Sequence, residues 1–201
     1  MIAVVLAGFA RMVSGARPIW RGCTAEPRQR VYFANHTSHL DALVIWAVLP
    51  PALRRVTRPV AARDYWEAGP VRRYLATRAF NAVLIERTPG DFHHSPLDDL
   101  LAALERGDSL IFFPEGGRGK NGEVGEFRPG LYHLAERRPD VDLVPVYLSN
   151  LDRVMPRGSR LPVPLLSQAV FGAPLHLDAR EGRAPFLARA RAALLQLRDR
   201  P

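Results

Sequence analysis

The 201-residue sequence predicts a single α/β domain with a mixed, mostly parallel sheet flanked by helices. The main observation is that short apolar segments alternate along the chain with longer segments of helical periodicity. A second is that 47% hydrophobic and 24% charged residues form an ordinary globular composition, with enough chain for one sizeable core. A third is that no internal repeat or low-complexity tract is visible and that the 18 prolines fall mostly between the apolar segments.

The elements follow from these patterns in chain order. Strands are predicted at residues 31–34, 54–62, 83–87 and 109–113, around 144–146, and at 168–171. Helices are predicted at residues 40–49, 70–77, 95–106, 131–137 and 184–198. The last of these helices carries its large apolar residues on one face, which indicates that it packs on the core.

The first twenty residues predict a helix that lies in a membrane interface. Residues 2–10 are apolar, and Arg11 and Arg17 follow. This run is too short to span a bilayer, which needs about 20 apolar residues, and it lacks the preceding positive charge of a signal peptide. We expect the apolar face of the helix to point into the membrane, with Arg11, Arg17 and Trp20 at the level of the lipid headgroups. The alternative is a helix packed on the protein's own core.

The charge balance favours an anionic partner. The chain has 28 basic and 20 acidic residues, a formal net charge of +8. This suits a membrane surface, a phosphorylated substrate, an acidic carrier protein or nucleic acid. The arginines are scattered and no nucleic-acid-binding motif is present, so we expect no nucleic acid partner. Lys120 is the only lysine, so genome composition is an alternative explanation of the many arginines. The single cysteine, Cys23, predicts no disulfide framework or metal cluster and fits a reducing compartment.

The segment from Val31 to Asp41 contains the first candidate catalytic residues. A short apolar strand runs into Asn35, and His36 and Asp41 flank the polar turn that leads to the next helix. In a continuous helix this spacing would set their side chains about 140° apart, whereas a turn lets them meet. A carboxylate that accepts the N–H of one imidazole nitrogen leaves the other nitrogen as a general base. The alternative is that Asp41 or Ser38 merely caps the helix.

Asn35, His36 and Asp41, in the sequence NHTSHLD, resemble the first motif of the glycerolipid acyltransferases. This family includes the 1-acylglycerol-3-phosphate acyltransferases and related lysophospholipid acyltransferases. Three further matches follow in the expected order and extend to Val146. The resemblance implies an acyltransferase domain at residues 21–201, after the N-terminal helix of residues 1–20.

The second family motif is an apolar strand that ends in arginine, and residues 83–87 resemble it. The resemblance implies that Arg87 grips the phosphate of the acceptor, since a guanidinium can meet a phosphate through two hydrogen bonds. By itself an arginine after a strand is more often a solvated loop residue. The pair Arg63 and Asp64 is loosely similar to a further family feature, which implies a phosphate contact by Arg63.

The third family motif matches residues 113–119, FPEGGRG. Its glycines allow a close approach of the backbone to a ligand, although the P-loop pattern is absent. The resemblance implies that Glu115, Gly116, Gly117 and Arg118 line the acceptor pocket, with Arg118 holding phosphate and Glu115 holding a hydroxyl or the loop itself. The family usually has threonine where this chain has Gly117. The alternative is a glycine-rich turn with an internal Glu–Arg pair.

Two weaker matches complete the series. Residues 127–130, FRPG, match a Phe-basic-x-Gly element that follows the third motif. Residues 144–146, VPV, match the last motif, which implies a role in shaping the acyl pocket. A proline within a strand belongs at a sheet edge or a bulge, so we expect one of these around Pro145.

The resemblance implies transfer of a fatty acyl group from acyl-CoA or an acyl carrier protein to the free hydroxyl of a lysophospholipid. The expected acceptor is 1-acylglycerol-3-phosphate, giving phosphatidate. His36 would deprotonate the hydroxyl, Asp41 would orient His36, and Arg87 and Arg118 would hold the phosphate. Backbone N–H groups at the start of the helix after Asp41 are one option for stabilising the oxyanion. No metal or bound cofactor is implied.

Three alternatives stay open. An acyl-serine intermediate on Ser38 is one, but we favour a capping role because Asp41 already serves His36 and no third group would orient the base. The same chemistry on another acceptor, such as a lyso-ornithine lipid, is left open by Gly117. A non-catalytic lipid- or membrane-surface-binding protein with this fold is the third. For the enzyme we expect a cytoplasmic protein, peripheral on the cytoplasmic face of the cell membrane.

Overall fold

A computed structural model describes residues 2–38, 40–86, 95–119, 123–149 and 167–198. Its strands are β1 (Arg17–Trp20), β2 (Arg30–Ala34), β3 (Thr57–Ala62), β4 (Val83–Ile85), β5 (Ser109–Phe112), β6 (Asp142–Ser149) and β7 (Gln168–Phe171). Its helices are α1 (Ile2–Ser14), α2 (Asp41–Val48), α3 (Pro51–Val56), α4 (Arg63–Trp66), α5 (Pro70–Tyr74), α6 (Pro96–Glu105), α7 (Gly130–Arg137) and α8 (Arg183–Arg198). A π-helical turn, Leu75–Ala79, continues α5.

The strands form one sheet in the order β1-β7-β6-β2-β5-β3-β4. The neighbours from β6 to β4 all run parallel, whereas β7 is antiparallel to β6 and β1 is parallel to β7. Every residue of β2 is buried, as expected for a central strand covered on both faces. The predicted mixed, mostly parallel sheet flanked by helices is therefore confirmed.

Successive residues of β2 point to opposite faces of the sheet and join two separate cores. Tyr32 belongs to the core under α1, α2, α3 and the π-helical turn, which we call the first face. Phe33 belongs to the core under α6, α7 and α8, which we call the second face. The parallel strands thus carry apolar residues on both sides.

The N-terminal helix ends earlier than expected. Gly15 follows α1 with a φ of 56°, which a glycine adopts without strain, and residues 17–20 then form β1 beside β7. Trp20, expected at the headgroup level, instead stacks on Phe171 with ring centroids 4.1 Å apart. No helix among the described residues is both long enough and apolar enough to cross a bilayer.

The predicted strand at residues 54–62 is wrong in its first part. Residues 51–56 form α3, and β3 begins only at Thr57. Pro51 starts this helix, where its fixed φ fits the first turn and its missing N–H costs nothing. Ala52, Leu53 and the two arginines that follow are good helix formers, so they continue the helix that Pro51 begins.

Pro145 lies in an interior strand but opposite a bulge. The β6–β7 ladder ends with the pair Val146 and Phe171, and one bridge further along joins Leu143 to Leu175. The register shifts by one residue between these two points, which is the mark of a bulge. The missing N–H of Pro145 therefore falls where the ladder is already interrupted, as the sequence predicts.

A buried ion pair holds the amino end of β2. Arg30 is 2% exposed and donates from Nη1 to the Thr24 carbonyl at 2.8 Å, while its backbone N–H donates to Ser109 Oγ at 3.0 Å. Asp142, at the start of β6, is 5% exposed, and its Oδ2 lies 3.9 Å from Arg30 Nε and 3.7 Å from Arg28 Nε. Asp142 thus places a negative charge within ion-pair distance of the buried guanidinium, without a hydrogen bond between Oδ2 and Nε.

We predict that Asp142→Asn lowers the free energy of unfolding by about 3–5 kcal/mol, because it leaves Arg30 as an uncompensated buried charge. Urea denaturation followed by tryptophan fluorescence measures this change. The matched control is Asp140→Asn, since Asp140 pairs with Arg138 in an ion pair whose carboxylate side chain is 61% exposed. That change should cost at most about 1 kcal/mol. Equal losses in the two variants would contradict the role of the buried pair.

Candidate active site

The motif residues follow strands whose carboxyl ends lie at one edge of the sheet. His36 comes shortly after β2, Glu115 after β5 and Arg63 directly after β3. Because these strands are parallel, their carboxyl ends meet at the same edge, where ligands of α/β proteins usually bind. β5 lies between β2 and β3, so the loop after β5 adjoins His36 while Arg63 is one strand further away.

His36 and Asp41 are in direct contact. Asp41 is the first residue of α2 and is completely buried, and its Oδ2 lies 2.9 Å from His36 Nδ1. The same oxygen accepts the backbone N–H groups of Thr37 at 2.6 Å and Ser38 at 2.8 Å. The turn therefore folds back around one carboxylate oxygen, and the spacing that forbids contact in a helix produces it here.

The contact determines the form of the imidazole. An ionised carboxylate only accepts hydrogen bonds, so the Nδ1 of neutral His36 must carry the proton and Nε2 is then the acceptor. Asp41 Oδ1 is buried and has no hydrogen-bond partner among the described residues, so Oδ2 supplies the contacts that hold the carboxylate. In this arrangement an imidazole is able to act as a general base that the carboxylate orients.

Phe113 fixes the plane of the His36 ring. The two ring centroids are 4.3 Å apart and the planes are inclined by 25°, so the rings stack. The side chain of His36 remains 20% exposed. One face of the imidazole is thus covered by an apolar ring while solvent still reaches the side chain.

Glu115 joins the third-motif loop to the backbone of His36. Its Oε1 accepts the His36 N–H at 2.9 Å, and its Oε2 accepts the Gly125 N–H at 2.9 Å. In the reverse direction the Gly119 N–H donates to the His36 carbonyl at 2.8 Å. Of the two roles that the sequence leaves open for Glu115, these contacts are those of a residue that holds the loop.

Gly116 and Gly117 of the third motif differ in whether a side chain would fit at their positions. Gly116 has a φ of 68°, and a Cβ there would lie 2.6 Å from Arg128 Nε, so a side chain would displace the guanidinium. At Gly117 a Cβ would meet nothing within 4 Å. Arg118 and Arg128 are both exposed on this loop and the segment that follows it. The position where the family usually has threonine is therefore open, and the side chain of Arg128 lies against Gly116 of the same loop.

Arg63 is engaged by β4 and the turn after α4. Its Nη1 donates to Glu67 Oε1 at 3.2 Å and its Nη2 to the Leu84 carbonyl at 3.3 Å, while Nε lies 3.6 Å from Glu86 Oε1. Two carboxylates thus neutralise this guanidinium. Arg87, the second predicted phosphate contact, lies outside the described residues.

Two residues near His36 have clear structural contacts. The Oγ of Ser38, which is 3% exposed, accepts the Leu40 N–H at 3.3 Å just before α2 begins. The amide of Asn35 donates to the Leu148 carbonyl at 3.0 Å and accepts the Leu148 N–H at 2.8 Å, which ties the end of β2 to β6. Our sequence reasoning missed this role of Asn35, although an amide directly after a buried strand was a signal for it.

No group of three or more His, Cys, Asp or Glu side chains within the described residues is arranged to hold a metal ion. Our expectation that no metal or bound cofactor takes part stays a prediction.

Comparison with curated proteins finds relatives that are named 1-acyl-sn-glycerol-3-phosphate acyltransferases. The 1-acyl-sn-glycerol-3-phosphate acyltransferase alpha of Mus musculus is 31% identical over 144 residues, which are 70% of this chain and 48% of that protein. The 1-acyl-sn-glycerol-3-phosphate acyltransferase of Limnanthes douglasii is 24% identical over 175 residues, 87% of this chain and 60% of that protein. The chain thus spans about half the length of these curated relatives.

A crystal structure from the comparison with solved structures has the same fold. The crystal structure of PlsC, the 1-acyl-sn-glycerophosphate (LPA) acyltransferase from Thermotoga maritima, matches with a TM-score of 0.72 at 17% identity. The match covers 98% of this chain and 81% of that chain.

The family assignment follows from a match to a sequence model of the acyltransferases. That match covers residues 22–149, which include His36, Asp41, Glu115 and Arg118. It spans well over half of the chain, and the chain therefore belongs to the acyltransferase family.

Proposed function

We propose that the protein transfers a fatty acyl group from a thioester, acyl-CoA or acyl carrier protein, to the free hydroxyl of 1-acylglycerol-3-phosphate. The observation that carries the proposal is the contact of His36 Nδ1 with the buried carboxylate of Asp41 at the carboxyl edge of the sheet. The names of the relatives support the acceptor, since two of them are 1-acyl-sn-glycerol-3-phosphate acyltransferases.

The proposed reaction needs one base and no covalent enzyme intermediate. His36 Nε2 takes the proton of the acceptor hydroxyl as its oxygen attacks the thioester carbonyl carbon. The tetrahedral intermediate then collapses with cleavage of the carbon–sulfur bond. The leaving thiolate takes the proton from the imidazolium, which restores neutral His36. Asp41 holds the tautomer throughout and stabilises the imidazolium while it exists.

The contacts of Asp41 restrict where the oxyanion can be stabilised. The N–H groups of Thr37 and Ser38 already donate to Asp41 Oδ2. These two donors of the turn are thus occupied and do not serve the oxyanion. Any backbone donors for it belong to other parts of the site.

The loop after β5 is the proposed phosphate site. Arg118 and Arg128 are exposed there, on a loop bonded to the backbone of His36 through Glu115. We keep Arg87 as a proposed phosphate contact on the resemblance of its motif alone. Arg63 is a poorer candidate, because Glu67 and Glu86 already neutralise it.

Direct transfer is favoured over an acyl-serine route. Ser38 Oγ is buried and accepts the Leu40 N–H, whereas His36 Nδ1 contacts Asp41. Ser38 therefore has the contact of a turn residue that precedes a helix. We place the enzyme on the cytoplasmic face of the cell membrane as a peripheral protein, and no cofactor beyond the acyl thioester is part of the proposal.

Gly117 leaves open a second class of acceptor for the same reaction. The family's usual threonine is missing there, and the space that its side chain would occupy is open. An acceptor with a different headgroup, such as a lyso-ornithine lipid, is the alternative substrate.

We predict that His36→Ala lowers kcat by about 10²- to 10⁴-fold, because the hydroxyl loses its base. Labelled acyl thioester and lysophosphatidate in detergent micelles provide the assay. His133→Ala is the matched control, since the side chain of this histidine on α7 is 41% exposed and contacts Glu136 and Tyr132 of the same helix. Turnover that survives His36→Ala would remove the proposed mechanism.

We predict that Glu115→Gln lowers both the free energy of unfolding, by about 1–3 kcal/mol, and kcat. The amide nitrogen would face a backbone N–H and leave it unpaired. The KM for the acceptor should change little, because the described contacts of Glu115 are to the backbone N–H groups of His36 and Gly125. Glu126→Gln, an exposed position, is the control. A raised KM with unchanged stability would instead indicate contact with the acceptor.

We predict that the wild-type protein prefers lysophosphatidate in a panel of acceptors and that Gly117→Thr raises kcat/KM for it without loss of stability. A threonine fits because its Cβ meets nothing within 4 Å, and it adds a hydroxyl to the pocket. Gly69→Thr, at another open glycine, is the matched control. Preference for lyso-ornithine lipid would support the alternative acceptor, and no turnover with any acceptor would support the non-catalytic lipid-binding protein.

A further inference from the structure

A side chain of the last helix reaches the segment between the third motif and α7. Arg191, in the middle of α8, donates from Nη2 to the Val124 carbonyl at 2.6 Å and from Nε to the Gly125 carbonyl at 2.9 Å. Its Nε also lies 3.2 Å from the Val124 carbonyl oxygen. The planar guanidinium thus holds two consecutive carbonyls, which fixes the direction of the backbone at this point.

The segment that Arg191 holds has no regular secondary structure. Residues 123–128 belong to neither a helix nor a strand, so their backbone groups need partners outside the segment. Apolar packing joins the segment to the same helix, because Val124 is 4% exposed and belongs to the core of the second face together with Ala190 and Leu194 of α8. Helix α8 therefore determines where this segment lies.

The peptide group that joins Val124 to Gly125 lies between two charged side chains. Its carbonyl accepts from Arg191, and its N–H donates to Glu115 Oε2 at 2.9 Å. The described peptide bonds are trans, so the C=O and the N–H point in opposite directions, and the guanidinium and the carboxylate lie on opposite sides of the peptide. The guanidinium polarises this peptide group and makes its N–H a stronger donor to the carboxylate.

Glu115 connects this peptide group to His36. Its other oxygen, Oε1, accepts the His36 N–H at 2.9 Å. Because the two oxygens belong to one planar carboxylate, the position of the Gly125 N–H restricts where Oε1 can lie. A Cβ on Gly125 would lie 3.2 Å from Glu115 Oε2, so the backbone and the carboxylate are in close contact. Arg191 and His36 are thus linked through one peptide group and one carboxylate.

The same segment packs on the third motif at Gly119. A Cβ on Gly119 would lie 2.5 Å from the Glu123 carbonyl oxygen, so a side chain there would force the segment to move. The Gly119 N–H donates to the His36 carbonyl at 2.8 Å. A shift of the segment would therefore disturb both of the hydrogen bonds that tie the third motif to the backbone of His36.

Arg189 of the same helix has partners of a different kind. Its Nε donates to Glu181 Oε1 at 2.8 Å and its Nη2 donates to the His176 carbonyl at 2.7 Å. Like Arg191 it is partly buried, but these partners belong to the residues that precede α8. Arg189 therefore supplies a matched control, because its contacts hold α8 without reaching the third motif.

We propose that Arg191 is a positioning residue for acyl transfer. It orients the peptide between Val124 and Gly125, so that Glu115 keeps the backbone of His36, and with it the imidazole, in place for proton transfer. This inference rests on the proposed function of His36 as the general base. Since the family match ends at residue 149, it assigns part of the catalytic frame to a helix outside the matched region.

Steady-state acyl transfer to lysophosphatidate in micelles tests the role of Arg191. Arg191→Gln should lower kcat by about tenfold and leave the KM for the acceptor unchanged, because a catalytic group displaced by about 1 Å can cost about 10²-fold in rate. Arg189→Gln should keep the wild-type kcat. An unchanged kcat in Arg191→Gln would overturn the proposal. An equal loss in Arg189→Gln would do the same, since it would indicate a general loosening of α8.

A double-mutant cycle tests the route through Glu115. The variant with both Arg191→Gln and Glu115→Gln should have the same kcat as Glu115→Gln alone, because the two substitutions interrupt one connection. Losses that multiply in the double variant would contradict this route.

Arg191→Lys guards against misfolding of Arg191→Gln. A lysine keeps the positive charge but lacks the planar fork that holds two carbonyls, so kcat should lie between the values of wild type and Arg191→Gln. A wild-type kcat in Arg191→Lys would contradict the orienting role of the guanidinium. Urea denaturation of each variant establishes that the comparison is made between folded proteins.

Amide hydrogen exchange tests the connection without any substrate. The N–H groups of Gly125 and His36 both donate to Glu115 and should exchange slowly in the wild-type protein. Arg191→Gln should speed the exchange of both by about tenfold through local opening, whereas Arg189→Gln should leave both unchanged. Unchanged exchange at His36 in Arg191→Gln would refute the connection. If exchange responds as expected but the wild-type protein has no turnover, the catalytic proposal fails and the link from Arg191 to His36 stands.

Discussion

The site depends on the carboxylate of Asp41, which is buried at the start of α2. One of its oxygens accepts the N–H groups of Thr37 and Ser38 and the contact from His36 Nδ1. The conformation of the turn and the tautomer of His36 are therefore set by the same atom. A charged group held in this way cannot be exchanged for a neutral one without disturbing both, because the turn would lose an acceptor as the imidazole lost its orientation.

A second carboxylate, that of Glu115 in the loop after β5, also holds His36. Glu115 accepts the backbone N–H of His36, and Gly119 returns a hydrogen bond to the His36 carbonyl. His36 is thus held by Asp41 at the start of α2 and by Glu115 in the loop after β5. Since the loop after β5 also displays Arg118, the proposed phosphate contact and the base are parts of one hydrogen-bonded unit. A substrate that moves this loop will also act on the backbone of His36.

Most of the fold, and the contact of His36 with Asp41, can be predicted from the sequence because they depend on residues that are close together in the chain. Strand β2 and helix α2 have clear periodicity, and His36 and Asp41 can meet only across a turn. The start of β3 was misplaced because Pro51 favours a helix whose continuation no strong pattern opposes. The contact of Glu115 with the His36 N–H joins residues far apart in the chain, so no local pattern contains it. The same is true of the neutralisation of Arg63 by Glu86, which needs β3 and β4 side by side.

The two ends of β2 are both tied to neighbouring strands. At its start Arg30 contacts Ser109 and Asp142, and at its end Asn35 is bonded twice to Leu148. These contacts at both ends resist a shift in the register of β2, the strand that leads to His36. The loop after β5 is bonded to the backbone of His36 through Glu115 and Gly119, so a change in its length would disturb His36 even while β2 itself stays in place.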